Sequence, residues 1–444
     1  MGLLVIGERL IYSRRIGMSD RKIMNRWLIV VGALLIQLCL GAIYAWSVFT
    51  PYLTGKTPDP MTQFNFTSTQ TQVVFSVGLA AFAVVMIVAG RWQARSGPRL
   101  VSFVGGLVLG IGYVLGRFIG ASFIGQVIAI GLIGGTGIGL AYVCPIAVGM
   151  RWFPDKKGLI TGLAVAGFGF GAMIWVKLAG SWGHLIDSYG VLHVFFIYGI
   201  VFALAVVVGS IFMIYPPEGW KPKGWEPPAP SEKGAAVGTV EFESGEMLST
   251  PQFYGLWVTF IFSAMAGLMT IGIIKLFGID SLQKAGYTGV QASAVAGTAM
   301  AVFYAIANGI GRIVWGTISE HIGRKYAIVA MTLLQGIMML IFYYMGGNVA
   351  LLYLGAAVIG FNFGGNFSLF PTATADFFGN KSVGPNYGWM FTAYGVGGIL
   401  GPVLAGYVRD TWQNFQAAFI VAGIACIVAM FVTLSLKPPK KTSA

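Results

Sequence analysis

Charge is scarce in this 444-residue chain. Asp, Glu, Lys and Arg together make up 10% of it, where a soluble domain carries about 25%. With 56% apolar residues and a mean hydropathy of +0.78, that scarcity excludes an ordinary soluble globule. It also excludes a disordered chain, which needs low hydrophobicity. Cysteine is nearly absent. Cys39, Cys144 and Cys426 lie far apart, each inside an apolar run, and make neither a disulfide framework nor a metal-binding spacing. The three histidines, His184, His193 and His321, stand at segment ends. No Gly-x-x-x-x-Gly-Lys-Ser/Thr loop occurs; Gly379-Asn380-Lys381-Ser382 lacks the glycine before the lysine, which argues against nucleotide-driven pumping. With no nucleophile–His set and no buried acid–base pair, the sequence predicts no enzyme, no cofactor and no metal. The net charge of +13 does not point to nucleic acid, because the basic residues sit in short segments between apolar runs.

What the chain has in abundance is glycine, tryptophan and long apolar runs. Its 64 Gly and 12 Trp suit membrane helices and their interfaces. A window of about 19 residues finds runs at 27–49, 69–90, 100–119, 124–148, 158–181 and 191–214. Six more follow at 253–277, 290–316, 326–345, 350–372, 385–407 and 414–436. Each is near the ~20 residues a helix needs to cross the hydrocarbon core, and the runs are continuous, not alternating as in a barrel strand. The expectation is an all-α membrane protein with twelve transmembrane helices in two six-helix halves, both termini cytoplasmic. Orientation follows from Lys and Arg: 21 fall on the side of the N-terminus and 6 on the other, the bias that marks the cytoplasmic face. The parts are a cytoplasmic N-terminal segment (1–25), a six-helix bundle (26–214), a Pro-rich cytoplasmic linker (215–250), a second bundle (251–436) and a tail (437–444).

The halves echo each other. Gly90-Arg91-Trp92-Gln93-Ala94-Arg95-Ser96-Gly97-Pro98-Arg99 follows the second run, and Gly316-Thr317-Ile318-Ser319-Glu320-His321-Ile322-Gly323-Arg324-Lys325 follows the eighth. Trp152-Phe153-Pro154-Asp155-Lys156-Lys157-Gly158 likewise matches Phe377-Phe378-Gly379-Asn380-Lys381-Ser382. Such repeats let a carrier expose one central site to either side by rocking.

The two loops resemble the signature of the major facilitator superfamily, and the match covers the whole chain. The resemblance implies that fold, with Gly90, Arg95, Gly97 and Arg99, and Gly316, Glu320, Gly323 and Arg324, as gating-loop residues. Ala94 stands where the first copy carries an acid, which leaves that copy without its charge latch. Within the superfamily the chain resembles the oxalate/formate antiporter family, relatives of monocarboxylate transporters. Arg26-Trp27-Leu28-Ile29-Val30 leading to Gly41–Phe49, Pro216-Pro217-Glu218-Gly219-Trp220, and Glu246–Tyr254 carry that likeness.

One residue stands out on physical grounds. Arg312 lies inside the eighth run, where a charge costs roughly 2.5–3.5 kcal/mol near the bilayer centre. Asn308, one turn earlier, shares its face, which suggests a water-accessible cavity. The alternative is an Arg reaching cytoplasmic headgroups, although Trp315 and Ile318 stand in its way. No Asp or Glu lies deep in any run; Glu320 and Asp376 are at inner ends, Asp187, Asp280 and Asp410 at outer ends. A substrate carboxylate is the natural partner for the guanidinium, and the family resemblance also implies an Arg on the eighth helix that binds the anion. It further implies a Lys on the eleventh helix of the oxalate exchanger; here Phe391-Thr392-Ala393 is followed by Tyr394. One fixed cation suits a monoanion. Tyr44, Tyr142, Phe363 and Phe367 are candidate walls of the site. Lys177 and Lys275 read as side chains reaching for the outer surface, with an inward orientation as the alternative. Pro145 and Pro371 read as breaks near helix ends.

The reading is a secondary active transporter of small carboxylate anions in the cytoplasmic (inner) membrane, with a monocarboxylate such as lactate or formate preferred over oxalate. It works by alternating access, through anion exchange or proton-coupled symport, as a monomer in contact with membrane lipid. The alternatives are an oxalate/formate antiporter and, from other classes, an anion channel or a non-transporting ligand sensor.

Overall fold

The computed structural model describes residues 24–153, 155, 157–217, 220–222, 224, 241–379, 382–437 and 439. The N-terminal segment up to residue 23, most of the Pro-rich linker and the end of the tail lie outside the described residues. The apolar runs fold as α1 (Trp27–Val48), α2 (Ser68–Ser96), α3 (Pro98–Ile119), α4 (Phe123–Trp152), α5 (Lys157–Ala179) and α6 (Leu185–Ile211). They continue as α7 (Pro251–Lys284), α8 (Gly289–Ile322), α9 (Arg324–Met345), α10 (Val349–Phe378), α11 (Val383–Trp412) and α12 (Gln416–Ser435). Eleven are long and apolar enough to cross a membrane, and α5 contributes the shorter apolar stretch Ala166–Ala179. No strand occurs among the described residues. A helix meets its backbone hydrogen bonds internally, which lipid requires.

Helix ends depart from the expectation in one consistent way. α2 runs to Ser96 and α8 to Ile322, so Gly90, Arg95, Gly316 and Glu320 are helical, not loop residues. A hydropathy window registers only the apolar part of a helix and stops where polar residues begin at the interface. The connections shrink to single glycines, Gly97 at φ 83°, ψ 151° and Gly323 at φ 87°, ψ 148°. Positive φ is a conformation glycine reaches without steric cost. The repeat therefore extends to backbone geometry. It also extends to the opposite ends of the same helices, because Thr67 with Gln70 and Thr288 with Gln291 form equivalent capping boxes on α2 and α8. Pro145 and Pro371 do not break their helices; α4 and α10 run through them, as prolines in membrane helices can when neighbours satisfy the freed carbonyls.

Packing sorts the helices. α3 lies on α6, α2 on α4, and α1 on α5 and α6; α8 lies on α10, α9 on α12, and α7 on α11. α2 with α11, α5 with α8, and α1 with α7 join the first six helices to the last six. Those seams are fastened at the end away from the start of α1. The amides of Ser68 and Thr69 and the Thr69 hydroxyl all donate to the Asp410 carboxylate, at 2.8, 2.7 and 2.6 Å. Asp410, at the end of α11, thus caps α2, where the helix dipole favours an anion. Beside it Asp280 of α7 takes both Arg409 of α11, at 3.0 Å, and Lys56 of the α1–α2 connection.

The latch residues fall differently from the expectation. Arg324 pairs with Asp376 of α10 at 3.6 Å, while Glu320 is exposed. In the first copy Arg99 donates to the Ile211 carbonyl at the end of α6, and Arg95 is exposed. Both connections therefore fasten neighbours within their own six helices.

Candidate functional site

The centre of the bundle is aromatic, with one cation set into it. Arg312 on α8 is 6% exposed and Asn308 2%. With so little of it exposed, the guanidinium faces neighbouring helices and not acyl tails. That removes the headgroup-reaching alternative, and it also corrects the expected water-accessible cavity, because the pair is enclosed. The i, i+4 spacing brings the Arg312 Nε to donate to Asn308 Oδ1 at 3.1 Å. The Phe367 ring of α10 lies under the guanidinium, 4.0 Å from its carbon, a cation–π contact of the kind that contributes about 0.5–2 kcal/mol. The Tyr142 hydroxyl of α4 lies within hydrogen-bonding and Coulombic reach.

A close helix approach makes this arrangement possible. A Cβ on Gly364 would sit 2.1 Å from the Asn308 carbonyl oxygen, so α8 and α10 touch backbone to backbone at the level of the site. Phe363 and Phe367, one turn apart on α10, are thereby held against α8.

The remaining predicted residues converge on the same place from the other helices. The Tyr44 hydroxyl on α1 and the Tyr394 hydroxyl on α11 share a 2.9 Å hydrogen bond. Tyr44 packs on Phe363 at 6.0 Å, and Tyr394 on Phe367 at 5.8 Å. Tyr44 belongs to the stretch Gly41–Val48, where α1 tightens to a 3₁₀ helix. On α8, a π-helical stretch Ala299–Tyr304 ends at Tyr304, whose ring lies 6.2 Å from Phe363. Such local departures are frequent at functional sites.

Guanidinium chemistry is only partly used here. Arg312 offers five N–H donors, yet its Nη1 is buried without a partner, as is the Asn308 amide nitrogen. Among the described residues Arg312 makes no ion pair with any carboxylate. The arrangement can hold an oxyanion on the guanidinium fork and the Asn amide, between aromatic walls that exclude water. No cluster of His, Cys, Asp or Glu suited to a metal occurs among the described residues.

The comparisons with known proteins agree with this layout. The Major Facilitator Superfamily model matches residues 38–303 and 288–444. The chain belongs to the major facilitator superfamily. Among relatives of this facilitator, an uncharacterized MFS-type transporter, YhjX, of Escherichia coli is 29% identical over 84% of this chain and 86% of its own length. The oxalate:formate antiporter of Oxalobacter formigenes is 24% identical over 95% and 94%. Apicoplast pyruvate carrier 1 of Toxoplasma gondii is 24% identical over 83% and 81%.

Several residues of the facilitator's site were not anticipated. Phe82 on α2 touches Tyr142, Phe391 and Tyr394 at 5.0, 5.7 and 5.7 Å. Phe168 on α5 packs on Tyr44 at 4.8 Å, and Phe391 stacks on Tyr394 at 4.8 Å. Phe168 stands between Gly167 and Gly169, and Phe391 stands close to Tyr394, so position offered a signal for both. Phe82 is one aromatic among many in an apolar helix, and nothing in the sequence separates it from its neighbours. Lys177 and Lys275 do not reach the outer surface, being 8% and 5% exposed; both turn inward between helices.

Proposed function

We propose that this facilitator is a secondary active carrier of small monocarboxylates, such as lactate or formate, in the cytoplasmic membrane. It crosses the membrane twelve times, with both termini inside. Residues 26–214 and 251–436 rock about the central site as a monomer. The observation that supports this most is Arg312, enclosed by aromatics with an unused donor and no carboxylate partner among the described residues. A carboxylate completes that set bidentately. Two relatives, an oxalate:formate antiporter and a pyruvate carrier, favour the same substrate class.

Tyr394 argues for one negative charge over two. Its uncharged hydroxyl shares a hydrogen bond with that of Tyr44, so the site holds one fixed cation where a dianion favours two. Oxalate/formate antiport is the second reading, supported by the named antiporter that matches nearly the full length.

The deciding measurement is counterflow of labelled lactate, formate and oxalate in proteoliposomes. Saturable uptake of a monoanion, stimulated by internal anion and lost in Arg312→Ala, is the expected result. Uptake by Arg312→Ala at the wild-type rate, or a flux that neither saturates nor responds to internal anion, overturns the reading.

A further inference from the structure

Two more cations are buried well away from Arg312, and the central site does not use them. Lys275 is on α7, the most enclosed of the eleven long apolar helices. It lies eight residues beyond Gly267, whose carbonyl accepts from Tyr304 at the level of the aromatic cage. Eight residues are about 12 Å of helix rise, toward the end of the bundle fastened by Asp410. The Lys275 ammonium has the Tyr52 ring for company, at 5.8 Å, with Asp187 and Lys177 in Coulombic range. Asp187 is spoken for: it accepts from the Tyr52 hydroxyl at 2.7 Å and faces His184 at 3.5 Å. Lys177, on α5, donates to the Thr298 hydroxyl of α8 at 2.9 Å and to its own neighbour Ser181 at 3.4 Å.

Both contacts cross between the first six helices and the last six. Lys275 of α7 meets Tyr52, which follows α1; Lys177 of α5 meets Thr298 of α8. Any movement that parts the halves at this end separates both ammonium groups from these partners together. Two cations that repel each other are then bared at the mouth of the path to Arg312. A buried ammonium with so few partners is costly in a membrane helix, and a pair of them is complementary to an anion.

We infer that Lys275 and Lys177 form a second, outer anion-binding station, which takes the carboxylate group of the substrate before it reaches Arg312 and after it leaves. The station rests on the proposed orientation and substrate class. Thr298 and the Tyr52 hydroxyl supply polar edges, and Asp187 helps the anion leave by repelling it.

The test reads the two stations separately. The full-length protein is reconstituted right-side-out and treated from outside with an impermeant acylating reagent, and modification of Lys275 is followed by peptide mass spectrometry. Lactate, formate and oxalate are the probes. An anion held at this station slows Lys275 modification about tenfold at about ten times its dissociation constant, and does so equally in Arg312→Ala. In transport, Lys275→Gln raises KM for external anion about tenfold or more, leaves KM for internal anion within about twofold, and is rescued by Lys275→Arg. Protection that disappears in Arg312→Ala overturns the inference, since Lys275 would then report only the central site. Transport without any protection of Lys275 also overturns it and leaves the proposed function standing. Protection without transport upholds the station and sinks the carrier reading.

Discussion

In the proposed reading, substrate choice turns on Arg312 and Tyr394. A charge-assisted hydrogen bond contributes about 1.5–3 kcal/mol, and the guanidinium fork supplies two. Arg312→Ala is therefore expected to lower uptake at least about a hundredfold, with expression and detergent melting temperature near wild type. Arg312→Lys keeps the charge but loses the planar fork, and is expected to retain only about a tenth of the activity or less; initial rates in proteoliposomes check both. Tyr394→Lys adds the second cation, at the expense of the hydroxyl that meets Tyr44 at 2.9 Å. The expected outcome is a shift in the oxalate-to-formate competition ratio toward oxalate, and an unchanged ratio would remove Tyr394 from selectivity. The two chemically informative residues, Arg312 and Asn308, were legible because a charge and an amide in an apolar helix have few explanations. The aromatics were half legible: Phe367 lies on the guanidinium and Phe363 packs on Tyr44 and Phe367, while Phe82 was indistinguishable from an ordinary packing residue until the helices were assembled.

Helices carry these residues through contacts that a local reading does not see. α8 and α10 meet at Gly364, where an added Cβ would lie 2.1 Å from the Asn308 carbonyl oxygen and 3.2 Å from the Arg312 amide nitrogen. Gly364→Ala must push the helices apart. Overpacking of this kind costs about 1–3 kcal/mol, so a lower melting temperature is expected together with a raised KM, because Phe367 moves off the guanidinium. A normal KM in a destabilised protein would separate packing from the site. At the far end, Asp410 holds the first amides of α2 across the seam. Losing a helix cap costs about 1 kcal/mol, roughly fivefold in an equilibrium. Asp410→Ala is accordingly expected to raise the labelling rate of a cysteine placed at Ser76, buried on α2, about fivefold from outside. That the chain folds into long apolar helices was readable from hydropathy, but the helix ends were not. Gly97 and Gly323 were visible as repeated glycines; their near-identical positive φ angles show that the repeat is one of geometry too.

For the whole molecule, the coupling mode follows from where carboxylates are. Among the described residues the paired aspartates Asp155, Asp187, Asp280 and Asp376, and the capping Asp410, stand at or between helix ends, and none pairs with Arg312. A carrier with no acid beside its cation lacks a proton site there, so exchange is expected. Uptake should depend on internal anion and change less than about twofold under an imposed pH gradient; accumulation driven by the gradient alone would show symport. Composition, charge bias and repeated motifs by themselves determined that this chain is a helical membrane protein of an identifiable superfamily, because burial in lipid restricts which residues can appear and how they recur. Only the tertiary structure decided that Arg312 is walled in by aromatics, that Lys177 and Lys275 turn inward, and that Arg324 pairs with Asp376. Those facts depend on which helices are neighbours and how closely their backbones approach. Contacts between residues hundreds of positions apart leave no mark on the periodicity or charge of either segment alone.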